Sequence, residues 1–217
     1  FDPALAIDSV GYILKGLGYT LGISLASMIF GTLLGFLLAI MRMSNSKVLR
    51  IIARTYISFM RGTPTLVFLF ILYFGFPFIG IQFKAVNAAI IGFSLSSAAY
   101  SAEIIRSSLH SVDHGQWEAA YALGLKWPFI MRKVIIPQAM RIAVPPMSNV
   151  LLDLIKGTSL AAMITVPEIF QQAKIVGGRE FDYMTMYILV ALIYWAICSV
   201  FTIFQNYLEK KTSLYIE

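Results

Sequence analysis

Five apolar runs, each long enough to cross a lipid bilayer, constrain the fold of this chain more than any other feature. A run of about 20 apolar residues can cross the hydrocarbon layer as a helix, which bonds every backbone polar group within the segment. The runs lie at residues 19–41, 66–81, 85–105, 142–166 and 184–205, the second being short with Pro77 near its end. With 59% hydrophobic and only 13% charged residues, the composition is not that of a soluble domain. The sequence therefore predicts an all-α integral membrane protein with five transmembrane helices.

The basic residues predict how these helices are oriented. Membrane-proximal cytoplasmic loops are enriched in Lys and Arg. Of the 17 basic residues, Lys156 lies inside a span and four lie on one side of the membrane: Lys15, Lys84, Lys174 and Arg179. The other twelve share the opposite side: Arg42, Lys47, Arg50, Arg54, Arg61, Arg106, Lys126, Arg132, Lys133, Arg141, Lys210 and Lys211. That side is predicted to be cytoplasmic, with an external N-terminal segment at 1–18 and a cytoplasmic C-terminus.

The whole chain, 1–217, reads as a single membrane domain, since no linker or internal repeat divides it. Gly18 with Gly22, and Gly31 with Gly35, form two small-xxx-small pairs in the first span, and such pairs let helix backbones approach closely. These glycines predict tight helix packing and need no further role.

Several other functions find no support in the residues. The basic residues do not alternate with aromatic ones as in a nucleic-acid groove, so no nucleic-acid partner is predicted. Cys198 is the only cysteine and reads as a small core residue. His110 and His114 have metal-compatible spacing but no evident third ligand, so no metal site is predicted. No convincing nucleophile with its base, and no catalytic carboxylate pair, is present, so no catalytic residue is assigned.

The segment 106–141 is too long for a simple connector and is predicted to lie in the cytoplasm. Residues 116–123 favour a helix that ends at Gly124, where glycine can adopt the left-handed conformation. A second helix is predicted to begin near Trp127 and Pro128 and to break at Pro137. The aromatic residues of the segment suit a docking surface for a soluble partner, or equally a belt at the membrane interface. These aromatic residues are Trp117, Tyr121, Trp127 and Phe129.

Three motifs resemble those of ABC importer permeases that take up polar amino acids. EAA at 118–120 is followed by three residues, Gly124, nine residues and VIIP at 134–137, which is similar to the EAA loop of that family. RGTPTLVFLF at 61–70 and NVLLDLIKGTSLAAMITVPEIF at 149–170 resemble family sequences of the second and fourth core spans. The resemblance implies a type I permease fold in the cell membrane of a prokaryote. It also assigns ATPase coupling to the EAA loop, through Glu118, Ala119, Ala120, Gly124 and Pro137.

The same resemblance implies partners. Two permease subunits, either two copies of this chain or this chain with a homologous permease, would work with two ATPase subunits and an external solute-binding protein. The chain has no G-x-x-x-x-G-K-[ST] motif, so ATP and Mg²⁺ are expected on the partner ATPase. The segment 168–182 is predicted to be external, where it would contact the solute-binding protein or remain a solvated loop.

Asp153 and Lys156 are opposite charges inside the fourth apolar run. A charge near the middle of the membrane costs about 2.5–3.5 kcal/mol on insertion scales, so it is expected to face a partner charge, a wet cavity or the bundle interior. Three residues apart on a helix, the two side chains can pair. By resemblance, relatives carry Lys156 without Asp153, so our alternative hypothesis is that Asp153 binds the cationic side chain of arginine, lysine or histidine.

Asn149 lies one helical turn before Asp153 and is predicted to contact the substrate backbone, and Glu103 is a candidate second acidic contact or a structural group. Two rival functions remain open. A secondary transporter or channel explains the spans and the buried charges but not the long loop, and a membrane-bound enzyme lacks candidate chemistry.

Overall fold

The computed structural model describes residues 1–213, with the side chains of residues 1–207, and this part of the chain forms ten α-helices. They are α1 (Pro3–Ile13), α2 (Leu17–Met43), α3 (Lys47–Gly62), α4 (Thr65–Phe70), α5 (Ala85–His110), α6 (His114–Ala122), α7 (Trp127–Ile130), α8 (Ile136–Gly157), α9 (Ile169–Glu180) and α10 (Tyr183–Ser213). Short 3₁₀ or π-helical segments extend or join them at Leu14–Gly16, Ile71–Gly75, Phe76–Ile79, Met131–Ile135 and Thr158–Ile164. The side chains of Lys210 and Lys211, which contribute to the predicted orientation, lie outside the described residues.

Four helical stretches of the described chain are long and apolar enough to cross a membrane: Pro3–Met43, Ala85–His110, Trp127–Ile164 and Tyr183–Tyr207. A fifth span results when Lys47–Gly62 and Thr65–Ile79, which meet at a bend of 100°, are counted together. The predicted all-α membrane bundle is therefore confirmed with four or five spans, and the boundaries of several spans differ.

Residues 47–62, whose basic residues predict a cytoplasmic loop between the first two spans, form the helix α3. When α3 and the following helix are counted as one span, the second span begins earlier than the predicted residue 66. Ala53, Ile57 and Met60 recur at helical spacing and are buried, while basic residues occupy another flank of the same helix. The amphipathic pattern hides α3 from a search for purely apolar runs. The helix ends at Thr63, whose extended backbone (φ −112°, ψ 135°) is the conformation that the following Pro64 favours.

Pro137 does not break the helix in which it lies, contrary to the sequence prediction. It is the second residue of α8 and follows the π-helical turn Met131–Ile135, which joins α7 to α8 without a loop. Because the π-helical turn before Pro137 replaces the regular i→i−4 bonds with i→i−5 bonds, the helix continues through a residue that has no N–H to donate. The fourth span consequently begins near Trp127, well before the predicted residue 142.

Helices α2 and α5 run side by side and form the centre of the bundle. A Cβ atom at Gly35 would lie 2.7 Å from Cβ of Ser101 and 2.9 Å from the carbonyl oxygen of Ala98, and Gly31 likewise abuts Ser97. The prediction of close packing is confirmed for this pair. It is wrong for Gly18 and Gly22 within the described chain, where an added Cβ would meet nothing within 4 Å.

The two ends of the bundle differ. We call the end where α2 and α5 finish the basic end, since Arg42 and Arg106 meet Glu103 there. At the opposite end the predicted external segment 1–18 is helical, and α1 packs against α9 and α10. That contact buries the side chains of Ala6, Ile13, Ile169, Ala173, Val176 and Met186.

Candidate functional site

A helical hairpin, α6 and α7 with the turn between them, lies at the basic end directly after α5. The side chain of Asp113 caps α6 by accepting a hydrogen bond from the backbone N–H of Gly115. Gly124 has a positive φ of 72°, and the N–H of Leu125 donates to the carbonyl oxygen of Ala120 at 3.2 Å. This is a helix end closed by a left-handed glycine, as the sequence predicts.

The hairpin has a packed inner side and an exposed outer side. Ala120, the third residue of the EAA motif, is only 3% exposed and packs in a cluster with Val112, Ile130, Ile135 and Ala139. Glu118, Ala119 and Pro137 are exposed. So are four large apolar side chains, which we call the apolar tip: Tyr121, Leu123, Trp127 and Phe129. Of the EAA residues, Ala120 thus holds the hairpin together, while Glu118 and Ala119 are accessible.

A polar stripe follows one face of α8 and consists of Asn149, Asp153 and Lys156, all exposed in the single chain. The Nζ atom of Lys156 lies 2.9 Å from Oδ1 of Asp153, so the predicted ion pair is formed. The pair is open to its surroundings, since the Asp153 side chain is 74% exposed and that of Lys156 is 58% exposed. Leu154 and Ile155, on the other side of the helix, are buried. These charged groups lie within a candidate membrane span, so water or another protein, rather than lipid, is expected to contact the stripe.

Glu103 belongs to a different cluster from Asp153. Its carboxylate contacts Arg42 at 3.3 Å and Arg106 at 3.0 Å. The cavity that Glu103 lines is formed by α2, α3 and α5 and includes neither Asp153 nor Asn149. The structure therefore brings Asn149 and Asp153 together but does not bring Glu103 to them.

The sequence does not predict two features of the structure, the burial of Glu168 and an arginine-lined cavity. Glu168, predicted within an external segment, is fully buried and caps α9 by accepting hydrogen bonds from the backbone N–H groups of Phe170 and Gln171. The Tyr194 hydroxyl donates to the same carboxylate at 2.6 Å. Burial raises the pKa of Glu168, against the lowering effect of these hydrogen bonds. An acid just before a helix is a capping signal, but its burial depends on the later helix α10.

The second feature is the arginine-lined cavity at the basic end. Arg54 and Arg61 come from α3, and Tyr100 comes from α5. The guanidinium carbon of Arg61 lies 5.6 Å from the centre of the Tyr100 ring, a cation–π contact. The helical spacing of basic residues in Lys47–Gly62 is the sequence signal for this cavity.

A bundle of membrane-crossing helices with an exposed polar stripe is a component of a transport pathway rather than a simple membrane anchor. Residues 31–214 match the family described as the binding-protein-dependent transport system inner membrane component, and the chain belongs to this family.

Its relatives are amino-acid permeases. The chain is 64% identical over 216 residues to the probable amino-acid ABC transporter permease protein YckA of Bacillus subtilis, covering 100% of this chain and 96% of that protein. It is 42% identical over 202 residues to the L-cystine transport system permease protein TcyB of the same organism, covering 93% and 86% of the two chains. A crystal structure of an amino acid ABC transporter with histidines matches with a TM-score of 0.92 and 32% identity, covering 97% of this chain and 99% of that chain.

The protein is therefore a permease of an amino-acid ABC importer with the type I fold, as the three motifs predict. Permeases of this class are transport subunits of the prokaryotic plasma membrane, not enzymes, and act with ATPase and binding-protein partners.

Proposed function

We propose that this chain forms half of a pathway for a polar amino acid and receives the work of ATP hydrolysis through the hairpin at its basic end. The observation that carries the proposal is the apolar tip. Leu123 is 77% exposed and Trp127 56% exposed, although Ala120 behind them is packed. Apolar anchors on a rigid support are the usual centre of a protein–protein interface.

The basic end is the cytoplasmic end in this proposal. Arg42, Arg106 and Arg132 lie at this end together with the hairpin, and Lys and Arg are enriched on the cytoplasmic side of membrane proteins. The N-terminus is then external and the C-terminus cytoplasmic. Because ATPase subunits act on ATP in the cytoplasm, the apolar tip is on the side where they are available.

The hairpin would transmit motion because it is continuous with the fourth span. The π-helical turn Met131–Ile135 joins α7 directly to α8, so a displacement of the apolar tip is carried to the polar stripe without an intervening flexible loop. Closure of the ATPases would thereby favour one of two packed arrangements of the bundle, and access to the pathway would alternate. This role is supported by the exposure of Glu118, Ala119 and Pro137 and by the turn at Gly124. Ala120 supports it as the buried residue that packs the hairpin together.

The test replaces an exposed anchor and compares it with an equally exposed residue at the other end. Leu123→Asp is expected to lower ATPase capture and uptake by the assembled complex about tenfold or more, as loss of an interface anchor does. Phe181→Asp is the control for ATPase capture alone, because Phe181 is 91% exposed at the opposite end, away from the ATPase. Unchanged uptake and ATPase capture in Leu123→Asp would contradict the proposal. Ion-driven uptake without any ATPase would instead support a secondary transporter.

The polar stripe is proposed to face the translocation pathway and a second permease subunit, either a second copy or a homologous chain. In a single chain Asn149, Asp153 and Lys156 are exposed on a span whose other side chains face lipid or are packed. Charged groups are unfavourable in contact with lipid, and a second subunit would shield them from it. At the opposite end, α9 and the residues around Phe181 form the surface that we propose for the solute-binding protein.

For the substrate we propose two classes, each supported by its own observation. Asp153 supports a cationic side chain, as of arginine, lysine or histidine, with Asn149 contacting the amino-acid backbone. The ion pair between Asp153 and Lys156 supports a zwitterionic polar amino acid as the substrate instead, because the pair carries no net charge. Asp153 could bind the ammonium group of such a substrate and Lys156 its carboxylate. The likeness to a cystine permease favours this second class.

Asp153→Asn separates the two classes. If the substrate is cationic, the variant is expected to lose competition by arginine, lysine and histidine about tenfold while still transporting uncharged polar amino acids, because the charge partner of the cationic side chain has been removed. If it is zwitterionic, uptake of all polar amino acids declines together. Asp8→Asn, which makes the same change at another exposed carboxylate in α1, is the control and is expected to change neither. Wild-type uptake and competition in Asp153→Asn would contradict both roles.

A further inference from the structure

Glu103 lies among the charged groups of the basic end, away from the polar stripe. Nη2 of Arg42 lies 3.3 Å from its Oε1 atom, and Arg106 donates two hydrogen bonds to its Oε2 atom at 3.0 and 3.3 Å. Arg54 and Arg61 line the cavity beside it, and among the described residues of that lining Glu103 is the only acid. A single carboxylate therefore compensates several guanidinium groups that would otherwise repel one another.

The two carboxylate oxygens of Glu103 contact different helices. Arg106 is three residues further along α5, so its two hydrogen bonds orient the carboxylate from within the same helix. The other oxygen faces Arg42, which is in the last turn of α2. This contact is an ion pair without the geometry of a hydrogen bond, and its two side chains are only 19% and 24% exposed. Salt screens such a shielded pair less than it screens a pair on an open surface.

This ion pair continues the contact between α2 and α5 to the basic end. Further from that end, Gly35 packs on Ser101 so closely that an added Cβ would lie 2.7 Å from the serine Cβ. Helix α3 is attached to α5 as well, because the Tyr56 hydroxyl donates to the carbonyl oxygen of Leu95 at 2.8 Å. Helices α2 and α3 are thus both joined to α5 near the basic end.

The hairpin rests on the same helix, α5. Leu109 in the last turn of α5 and Val112 just after it belong to the cluster that packs Ala120 of the hairpin. The hairpin also continues into α8 through the π-helical turn Met131–Ile135. A displacement of the apolar tip therefore acts on α5 and α8 together. It moves α8 relative to the rest of the bundle only if α5 stays fixed to its neighbours.

We propose that Glu103 is a positioning residue for the coupling of ATP hydrolysis to transport. It fixes α5 to α2, so that movement of the hairpin displaces α8 and its polar stripe. Without the carboxylate, the guanidinium groups at the helix ends repel one another and α5 follows the hairpin. ATP hydrolysis then continues without rearranging the stripe. The inference rests on the proposed function of the hairpin, but not on the identity of the substrate.

The test measures whether ATP changes the accessibility of the polar stripe in the assembled complex of permease and ATPase. Asn149→Cys in a Cys198→Ser background supplies a single exposed thiol, and its labelling by a maleimide is timed with and without ATP and vanadate. The labelling rate of this parent is expected to change at least about fivefold, since the nucleotide shifts the population of two arrangements. Glu103→Gln is expected to reduce the change below about twofold, because the remaining charges of a shielded cluster are left uncompensated. The ATPase is expected to stay bound, because the apolar tip is unaltered.

Two variants of Arg42 test the link to α2. Arg42→Gln is expected to reduce the nucleotide response as Glu103→Gln does, because the ion pair between the helices is lost. Arg42→Lys keeps the positive charge and is expected to retain most of the response, because the Arg42 contact is an ion pair and not a hydrogen bond. A role in folding alone would lower the yield of all complexes without changing the ratio of the two labelling rates.

Glu180→Gln is the matched control, because it removes the carboxylate of another arginine pair at the opposite end, and the assay contains no solute-binding protein. It is expected to leave the response unchanged. A full response in Glu103→Gln or Arg42→Gln would overturn the inference, as would an equal loss in the control. Loss of the bound ATPase in Glu103→Gln would also overturn it, by assigning Glu103 to assembly. Absence of any response in the parent would instead refute the proposed function of the hairpin, and the inference with it.

Discussion

Gly124 shows how one residue determines the shape of the hairpin formed by α6 and α7. Its φ of 72° lies in the left-handed region, where residues with a Cβ are strained, and the bond from the Leu125 N–H to Ala120 depends on that conformation. The sequence predicts this glycine correctly because helix termination is a local property. Asp153 and Lys156 are likewise predictable as a pair from their spacing, but their exposure is not.

Replacement of Gly124 by alanine is expected to destabilise the hairpin by about 1–2 kcal/mol, because the left-handed backbone then acquires a Cβ. Hydrogen exchange of the Leu125 amide would measure the loss as faster exchange. Gly11→Ala in α1 is the control, since Gly11 has no positive φ and an added Cβ meets nothing within 4 Å. Unaltered exchange at Leu125 would show that the turn does not depend on Gly124.

Glu168 is expected to make stability depend on pH in the direction opposite to an ordinary exposed acid. Burial raises the pKa of Glu168 above its usual 4.5, so the folded protein binds more protons than the unfolded chain between the two pKa values. The contribution of Glu168 is therefore fully present below about pH 4.5 and is lost as pH rises through the folded pKa. As pH rises between the two pKa values, the Tm of the wild type is expected to fall relative to the Tm of Glu168→Gln, and thermal unfolding of both proteins would measure this.

The pKa of Asp182 is shifted in the direction opposite to that of Glu168, so Asp182 serves as a comparison. The Thr185 hydroxyl and the Thr185 N–H both donate to its carboxylate and hold the pKa of Asp182 below its usual 3.8. Its contribution is present above pH 3.8 and is lost as pH falls through the lower, folded pKa. Asp182→Asn should therefore remove stability mainly at neutral pH. A parallel response of the two variants would contradict the assignment for Glu168.

At the scale of elements, the sequence predicts a helix best when that helix is uniformly apolar. The spans around α2, α5 and α10 fall near their predicted places for this reason. Helix α3 was predicted as a loop because basic residues interrupt its apolar positions, and the neighbours that bury Ala53 and Ile57 belong to distant parts of the chain. The predicted helix break at Pro137 is wrong because the π-helical turn before Pro137 has no recognisable local sequence motif.

The contact between α2 and α5 is expected to tolerate no added methyl group at Gly35. A Cβ there would lie 2.7 Å from the Ser101 Cβ, so Gly35→Ala should destabilise the bundle by about 1–3 kcal/mol through overpacking. Thermal unfolding in detergent would measure this effect. Gly22→Ala in the same helix meets nothing within 4 Å and should be neutral or slightly stabilising. Equal effects of the two variants would exclude packing against α5 as the cause.

At the scale of the whole molecule, the two ends carry different surfaces. The basic end presents the apolar tip and the arginine cavity, while the opposite end presents α9 and Phe181. Exposed apolar groups on α10, including Trp195 and Ile203, suit contact with lipid between these ends. In the proposed arrangement the polar stripe on α8 forms one wall of the pathway, and a second permease subunit supplies the opposite wall.

The orientation of the two ends is testable with single cysteines in a Cys198→Ser background. Leu123→Cys at the basic end and Phe181→Cys at the opposite end are both highly exposed positions. In intact cells a membrane-impermeant maleimide is expected to label position 181 and not position 123, because the positive-inside rule places the basic end in the cytoplasm. Labelling of 123 from outside would reverse the proposed orientation, and permeabilised cells serve as the positive control for that position.

The sequence by itself determined the properties that depend on composition and short-range order: membrane residence, the helical class, the turn at Gly124, the spacing of Asp153 and Lys156, and the motifs of the family. Each follows from transfer of apolar residues out of water or from backbone geometry over a few residues. Only the tertiary structure decided that α3 is a helix, that Ala120 is packed while Leu123 is free, that Glu103 joins arginines instead of Asp153, and that Glu168 is buried under Tyr194. These properties depend on which helices pack together, and the side chains that bury or pair a group come from positions far away in the chain.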